Sequence, residues 1–246
     1  MTSHTHQRLL SADLTAETVR NDGASPALGT ATKTLWSDDV AEVGLWDAGP
    51  GNDIDVEADE VFLVLAGEGT VTFHGGDTIE LKPGTLVRLY DGDRTTWEIA
   101  DRVRKVYVAL RESPGGQGRA GAARLLSEDV RALKLTRPGQ PGMWVDGGWP
   151  TATYETLDEL GGVTLAVWET TAGVVADIER DEVVAVVSGN GTIRFDDGPA
   201  YNLRAGLCLR LRTGERAEWT VTTPVRLISV ERRQTPSLQQ IEGQEI

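Results

Sequence analysis

Side chains that form disulfides or bind transition metals are scarce in this sequence. Its 246 residues include one cysteine, Cys208, and three histidines. A single cysteine excludes an internal disulfide and a thiolate metal cluster, which agrees with a reducing compartment. Cys208 lies between two leucines, so we expect a buried, unreactive thiol rather than a nucleophile.

Basic residues and long apolar runs are scarce as well. The 24 Lys and Arg residues against 38 Asp and Glu residues give a formal charge of −14, which repels nucleic-acid phosphates and anionic lipids. No apolar stretch reaches the roughly 18–20 residues of a membrane helix. Residues 1–7 also lack the pattern of a signal peptide. We therefore predict a cytoplasmic protein whose partners include neither nucleic acid nor membranes.

What the sequence does contain is an internal repeat. Trp46 and Trp168 are 122 positions apart, and the same spacing relates the pairs Trp97/Trp219, Glu60/Glu182, Gly67/Gly189, Gly69/Gly191 and Gly84/Gly206. Residues 8–11 recur at 124–127, and a glycine-rich linker over 114–121 lies between the copies. We predict two similar domains at residues 1–116 and 117–246, with barrel cores at 40–111 and 162–232.

Within each copy, short alternating runs indicate β-strands. In the first copy these runs cover residues 60–65, 70–73, 85–90, 96–99 and 103–110, and glycine and aspartate turns separate them. Helix is limited to short capped turns within residues 11–20 and 127–133. The pattern predicts an all-β protein of the sandwich or barrel type.

Glu60, then Gly67 after six residues, and a later Pro83-Gly84 turn resemble the cupin superfamily. The second copy repeats the pattern at Glu182 and Gly189. The chain is similar to the DUF861 (Cupin_3) group, related to the ethanolamine-utilisation cupin, in the segments 44–47, 59–61, 97–99 and 103–108. The resemblance implies two tandem jelly-roll barrels in one chain, a bicupin. Because a tandem copy can satisfy the pairing of single-barrel cupins, a monomer or a homodimer is expected.

The resemblance fails at the metal ligands. A metal-binding cupin has a His-x-His pair before the glutamate and a further histidine on a later strand. Those positions fall here on Asp53/Asp55 or Ile54/Val56 with Thr95, and in the second copy on Val175/Asp177 or Ala176/Ile178 with Ala217. We therefore predict no metal and no other cofactor. A weak oxygen site for a hard cation such as Mg²⁺, formed by Asp53, Asp55 and Glu60, stays as an alternative.

Glu60 and Glu182 are the first candidate catalytic residues. Each begins a strand whose alternate side chains should face a barrel interior. Desolvation there would raise the pKa of a carboxyl and suit it to acid/base catalysis at neutral pH. A glutamate paired with arginine or loop amides is the structural alternative.

Other candidates would surround these glutamates. Tyr107 is a third catalytic candidate, and six residues are candidates for substrate binding: Trp46, Arg88, Trp97, Trp168, Arg210 and Trp219. The indoles would wall a cavity and an inward arginine would clamp a carboxylate, whereas core packing and outward arginines are the alternatives. Tyr107 corresponds to Ser229 and Lys105 to Leu227, which hints that the first barrel keeps a polar interior and the second is degenerate.

Two functions are compatible with these residues. The first is a metal-independent enzyme that acts on a small polar molecule by acid/base chemistry, as an isomerase, lyase, cyclase or hydrolase. The second is a non-catalytic bicupin that binds a small molecule or serves as a scaffold. A pocket of several hundred Å³ with a desolvated carboxylate in the first barrel would favour the enzyme.

Overall fold

The computed structural model describes residues 7–21, 24–111, 123–139, 143–144, 150–160 and 162–232. The predicted linker over 114–121 therefore lies outside the described residues. Those residues form strands and turns without any helix, and so none of them belongs to an apolar helix of membrane-spanning length. The all-β prediction is confirmed, and the segments 11–20 and 127–133 contain turns.

Antiparallel strands follow one another along both copies. In the first copy they are β1 (Leu9–Ser11), β2 (Arg20–Asn21), β3 (Ala31–Ser37), β4 (Ala41–Ala48), β5 (Gly51–Val56), β6 (Glu60–Ala66), β7 (Gly69–Phe73), β8 (Thr78–Leu81), β9 (Leu86–Leu89), β10 (Arg94–Ile99) and β11 (Val103–Leu110). In the second they are β12 (Leu125–Ser127), β13 (Arg137–Gly139), β14 (Met143–Trp144), β15 (Ala152–Leu160), β16 (Val163–Thr170), β17 (Gly173–Ile178), β18 (Glu182–Phe195), β19 (Ala200–Leu203), β20 (Cys208–Leu211) and β21 (Arg216–Arg232).

The strands of each copy close into a jelly-roll barrel. The first barrel combines a sheet of order β5-β10-β7-β8 with a sheet of order β12-β9-β6-β11-β4-β3-β2. In the second barrel β18 and β21 are long enough to take part in both sides, so the described strands β13 to β21 join one sheet together with β1. β18 corresponds to β6 and β7, and β21 to β10 and β11.

Successive side chains along a strand pack alternately into two different hydrophobic cores. In β6, Val61 and Leu63 pack into a core between the barrels, whereas Phe62 and Val64 pack inside the first barrel. Glu60 has the parity of Phe62, so it points toward the barrel interior, as the sequence predicted.

The strand that precedes each barrel pairs with the other barrel. β1 pairs with β20 through Leu9 and Leu209, and β12 pairs with β9 through Leu125 and Val87. The central core likewise contains buried residues from both copies. The predicted division at residue 116 thus separates the barrel cores in sequence, but strand pairing crosses it.

The repeated glycines have a steric reason that is clearest at Gly67 and Gly189. Both adopt positive φ, 89° and 95°, at the same place in the two barrels. A Cβ atom on Gly67 would lie 1.4 Å from the carbonyl oxygen of Arg102, and one on Gly189 would lie 2.1 Å from that of Pro224. Only glycine fits this close approach of two backbone segments.

Candidate functional site

The two candidate arginines lie between the barrels rather than inside them. Arg88 is buried, and its guanidinium is 2.5 Å from Asp59 Oδ1 and 2.9 Å from Asp158 Oδ2, which belongs to the second copy. Arg210 forms an ion pair with Asp181 and lies 4.7 Å from the ring centre of Trp36 in the first copy. Both arginines therefore join the barrels, and neither is placed to clamp a substrate inside one.

An ammonium group occupies the interior of the first barrel. Lys105 is 5 % exposed, and its Nζ is 2.5 Å from Glu60 Oε1. The same atom lies 4.9 Å from the ring centre of Trp46, 4.3 Å from that of Phe62 and 5.0 Å from that of Trp97. A cation within about 6 Å of aromatic rings is attracted by their π-electrons. We call these five residues the Lys105 cage.

A second carboxyl, Glu57, adjoins the cage. The indole Nε1 of Trp97 donates a hydrogen bond of 2.8 Å to Glu57 Oε1, and the hydroxyl of Thr95 donates to the same oxygen. Burial raises the pKa of Glu57, while the charge of Lys105 and the two hydrogen bonds act against that rise. Thr95, which stands at the position of the missing histidine, thus donates a hydrogen bond to Glu57.

Tyr107 lies at one side of the first interior, and its hydroxyl donates a 2.9 Å hydrogen bond to Glu42 Oε1. Its ring covers Gly44, where a Cβ atom would be 2.5 Å from the ring. A substrate role for Tyr107 stays a prediction, because this hydroxyl already has an acidic partner within the chain.

The donor set of the first barrel does not fit a metal ion. The ammonium of Lys105 stands beside Glu60, where a metal-binding cupin would hold its cation, and like charges repel. Asp53 accepts a hydrogen bond from Ser25, and Asp55 is exposed. Across the described ranges no group of three or more His, Cys, Asp or Glu residues is arranged to hold a metal.

The second barrel contains a cavity of about 220 Å³ that is partly open to solvent. Three of the predicted site residues, Glu182, Trp168 and Trp219, line it together. Further acidic side chains in its wall are Asp177, Glu179 and Glu231. We call this space the second-barrel cavity. The sequence had favoured the first barrel for the pocket, but there the Lys105 cage fills the interior.

The carboxyls of the second-barrel cavity are shifted toward their protonated forms. Burial and, to a smaller extent, the charges of Glu179 and Glu231 raise the pKa of Glu182 to about 8. Burial also raises the pKa of Glu179 to about 7, against a 2.8 Å hydrogen bond that it accepts from Trp219 Nε1. The pKa of Asp177 is raised by burial as well. Two glutamates can therefore gain or lose a proton near neutral pH.

The cavity exists because smaller, uncharged residues replace the contents of the Lys105 cage. Leu227 takes the place of Lys105, and Val184 takes the place of Phe62. Both line the cavity. Trp168 is held by a stacked Tyr154, with ring centres 4.5 Å apart.

Sequence reasoning missed Glu57 and Glu179, which hold the tryptophan indoles in both barrels. A signal was present, because the two glutamates share the 122-position spacing of Trp97 and Trp219. The indole-to-carboxylate distance is 2.8 Å in each copy. Loop residues between strands are hard to assign to an interior, since the two-residue period is lost there.

Three solved structures have a similar fold. A DUF861 protein of unknown function from Pseudomonas syringae pv. tomato is 18% identical, with a TM-score of 0.63 over 80% of this chain and 84% of that one. A cupin 2 conserved barrel domain protein from Leptotrichia buccalis is 9% identical, with a TM-score of 0.61 over 88% and 96%. Ylba from E. coli, another DUF861 protein, is 13% identical, with a TM-score of 0.59 over 89% and 92%. At sequence identities this low, the similarity shows a shared fold and carries no information on function.

Sequence comparison gives the family. A search of curated proteins finds no match to this chain. The family model Cupin_3, described as the EutQ-like cupin domain, matches residues 35–107 and again residues 157–227. These two matches span more than half of the sequence, and they coincide with the two barrels. The chain therefore belongs to the Cupin_3 family of EutQ-like cupin domains, and it carries two copies of that domain.

Proposed function

We propose that the second-barrel cavity is a small-molecule site in which Glu182, with Glu179 beside it, transfers a proton without a metal ion. The observation that carries this proposal is that a buried Glu179 and a half-buried Glu182, with pKa values raised to about 7 and about 8, lie together in the wall of one cavity. Side chains with pKa values near the working pH are the most effective general acids and bases. Perturbed carboxyls in a cavity are also a physical marker of functional sites.

The two glutamates suit different roles. Glu179 is 5 % exposed and is oriented by the indole of Trp219, so its carboxyl position is set before a ligand arrives. Glu182 begins β18, and within the described part of the chain no side chain donates a hydrogen bond to its carboxyl. Glu182 is then the group that exchanges a proton with the substrate, and Glu179 tunes its charge. Isomerisation, elimination, cyclisation and hydrolysis all use such a transfer.

The size of the cavity restricts the substrate. Its volume of about 220 Å³ is below the roughly 300–1,000 Å³ of pockets for drug-sized ligands. A small polar metabolite fits this volume. The first barrel would then act as a rigid support that packs against the second through the shared core.

A non-catalytic binding protein is the second candidate. It is favoured by the same concave, partly apolar cavity, since a ligand can be held there without any reaction. Like the small-molecule partner itself, a cytoplasmic location and a monomeric or homodimeric state stay predictions from the sequence.

The test is a comparison of metabolite turnover by matched variants. The wild-type protein, Glu182→Gln, Glu179→Gln and the exposed control Glu80→Gln are each incubated with a mixture of small metabolites and EDTA, and products are measured by mass spectrometry. We expect the wild type and Glu80→Gln to convert the same compound, and Glu182→Gln to be slower by about 100-fold or more.

The outcomes separate the candidates. A compound that raises the melting temperature but is never converted would support the binding protein and refute the enzyme. Equal turnover by Glu182→Gln and the wild type, or activity that EDTA abolishes, would refute the acid/base proposal.

A further inference from the structure

We infer that the ligand of the second-barrel cavity carries an organic ammonium group, which takes the place that the Lys105 ammonium takes in the first barrel. The inference rests on the proposed function, because it assumes that this cavity is the binding site. It names the chemical class of the ligand: a small primary or methylated amine in its charged form.

Strand register shows that the two interiors correspond. Lys105 pairs with Trp46 of β4 and with Val64 of β6. Leu227 pairs with Trp168 of β16 and with Val186 of β18. Each of these partners is 122 positions from its counterpart, so Leu227 and Lys105 occupy the same place in the two barrels.

Most of the groups around the Lys105 ammonium recur in the second barrel, but Phe62 is replaced by Val184. Glu182 and Glu179 stand where Glu60 and Glu57 stand, and Trp168 and Trp219 correspond to Trp46 and Trp97. The first copy therefore serves as an internal example of what these residues bind. In that copy the bound group is an alkylammonium, held by one carboxylate and three aromatic rings.

The second-barrel cavity lacks this internal cation. Four acidic side chains line it, whereas Arg180 is the one basic side chain among the described lining residues. The Arg180 guanidinium is 70% exposed and lies 3.3 Å from Glu231, so it is directed to solvent rather than into the space beside Trp168 and Trp219. Among the described residues no buried cation adjoins Glu179 or Glu182, and the charge that acts on Glu182 is that of the exposed Arg180.

An organic cation fits this site better than other ligands do. Once Glu182 and Glu179 have released their protons, the acidic wall would repel an anion. A bare metal ion lacks the three or more arranged ligands that it needs, as far as the described residues show. Indole rings attract organic cations, and Val184 and Leu227 offer apolar contact to an alkyl chain.

The binding test compares small probe molecules of similar size that differ in charge. Isothermal titration calorimetry measures n-propylammonium and tetramethylammonium against neutral 1-propanol and anionic propionate at pH 8. We expect at least about tenfold tighter binding of one of the two ammonium ions than of the neutral and anionic probes, which corresponds to one attractive charge interaction. Binding should also release protons at pH 7, because a bound cation lowers the pKa of the two glutamates.

Two variants locate the bound ion. Leu227→Lys places an ammonium where Lys105 lies in the first barrel, so it should raise the melting temperature and abolish propylammonium binding. Leu227→Met, a neutral side chain of similar length, measures the steric part of the change and should weaken binding far less than Leu227→Lys does. Glu80→Gln, an exposed change in the first barrel, is the control and should bind within about threefold of the wild type. Glu182→Gln should weaken binding by about tenfold or more, and it decides the matter if Leu227→Lys does not fold.

Failure of this inference is distinguishable from failure of the proposed function. Propanol or propionate binding as tightly as the ammonium ions, and lost in Leu227→Lys, would overturn the ammonium inference and keep the cavity as a site. Unchanged ammonium binding in both Leu227→Lys and Glu182→Gln would also overturn it. Tight ammonium binding without any turnover would support it and refute the enzyme.

Discussion

Replacing Lys105 by methionine would remove the buried ammonium that pairs with Glu60 inside the first barrel. The new side chain has a similar length, so the change tests charge more than shape. In the wild type the ion pair with Glu60 is formed by side chains that are 6% and 16% exposed. After the substitution the carboxyls of Glu60 and Glu57 stay in place without their nearest cation.

The expected cost follows from the burial of this pair. Removing one partner of a buried ion pair typically costs about 3–5 kcal/mol. The lost attraction to the aromatic rings adds ~0.5–2 kcal/mol, and apolar contacts of the methionine with those rings offset a similar amount. We therefore expect Lys105→Met to lower the free energy of unfolding by about 4 kcal/mol at pH 7. For a protein of this size that corresponds to a fall in melting temperature of roughly 8–16 °C.

The pH dependence has a definite sign. Loss of the Lys105 charge raises the pKa of Glu57 further above its value in the unfolded chain. The folded variant then holds a proton that the unfolded chain has released, so its stability falls as pH rises above the unfolded value of 4.5. The destabilisation by Lys105→Met should thus be larger at pH 7 than at pH 5.

The assay is urea unfolding followed by far-UV circular dichroism, for the wild type, Lys105→Met, Glu60→Gln and the double variant. Because the double variant has no unpaired charge in the cage, we expect it within about 2 kcal/mol of the wild type, with a coupling energy of at least ~2 kcal/mol. A cost below about 1 kcal/mol for Lys105→Met, or additive single effects, would refute the cage as a stabilising ion pair.

Three further predictions concern other parts of the chain. The pKa of Glu182 is raised from 4.5 to about 8, so between these pH values the folded state holds a proton that the unfolded chain has lost. The free energy of unfolding should therefore fall by up to about 1.4 kcal/mol per pH unit because of this group. Urea unfolding from pH 5 to pH 8 should show that Glu182→Gln removes this contribution to the slope. Gly67→Ala should cost at least about 2 kcal/mol in the same assay, since its Cβ would collide with the Arg102 carbonyl, whereas Gly75→Ala has open space around it. Cys208 is fully buried and the pKa of its thiol is raised by burial to about 12, so thiol reagents should label it only after unfolding.

Each of these predictions has an opposite outcome that counts against it. An identical pH slope in the wild type and Glu182→Gln would mean that the carboxyl of Glu182 is not desolvated. Equal stability of Gly67→Ala and Gly75→Ala would contradict the close backbone approach. Rapid labelling of Cys208 in the folded protein would show that the core between the barrels opens readily.

The alternation of apolar and polar residues was enough to predict strands of the barrels. The run 103–110 was predicted as a strand and is β11. The direction of Glu60 was also predictable, because side chains alternate along a strand. These features depend on residues that are close in sequence, and so they can be read from it.

The roles of the arginines were not predictable in the same way. Arg88 and Arg210 lie in apolar strands, and parity alone left open which side of the barrel wall they face. The structure shows that this side is covered by the other barrel, with Asp158 and Trp36 as partners. A contact between residues 70 positions apart depends on the packing of two domains, which no local pattern contains.

The sequence alone determined that this protein is a duplicated all-β chain of the cupin type, because the strand period and the 122-position repeat are carried by residue order. Only the tertiary structure decided which barrel is open. That choice depends on whether Lys105 or Leu227 meets a ring of carboxyls and indoles, and these groups come together only after distant strands pair. The exchange of β1 and β12 between the barrels was likewise decided by packing, since three-residue strands have no stability of their own.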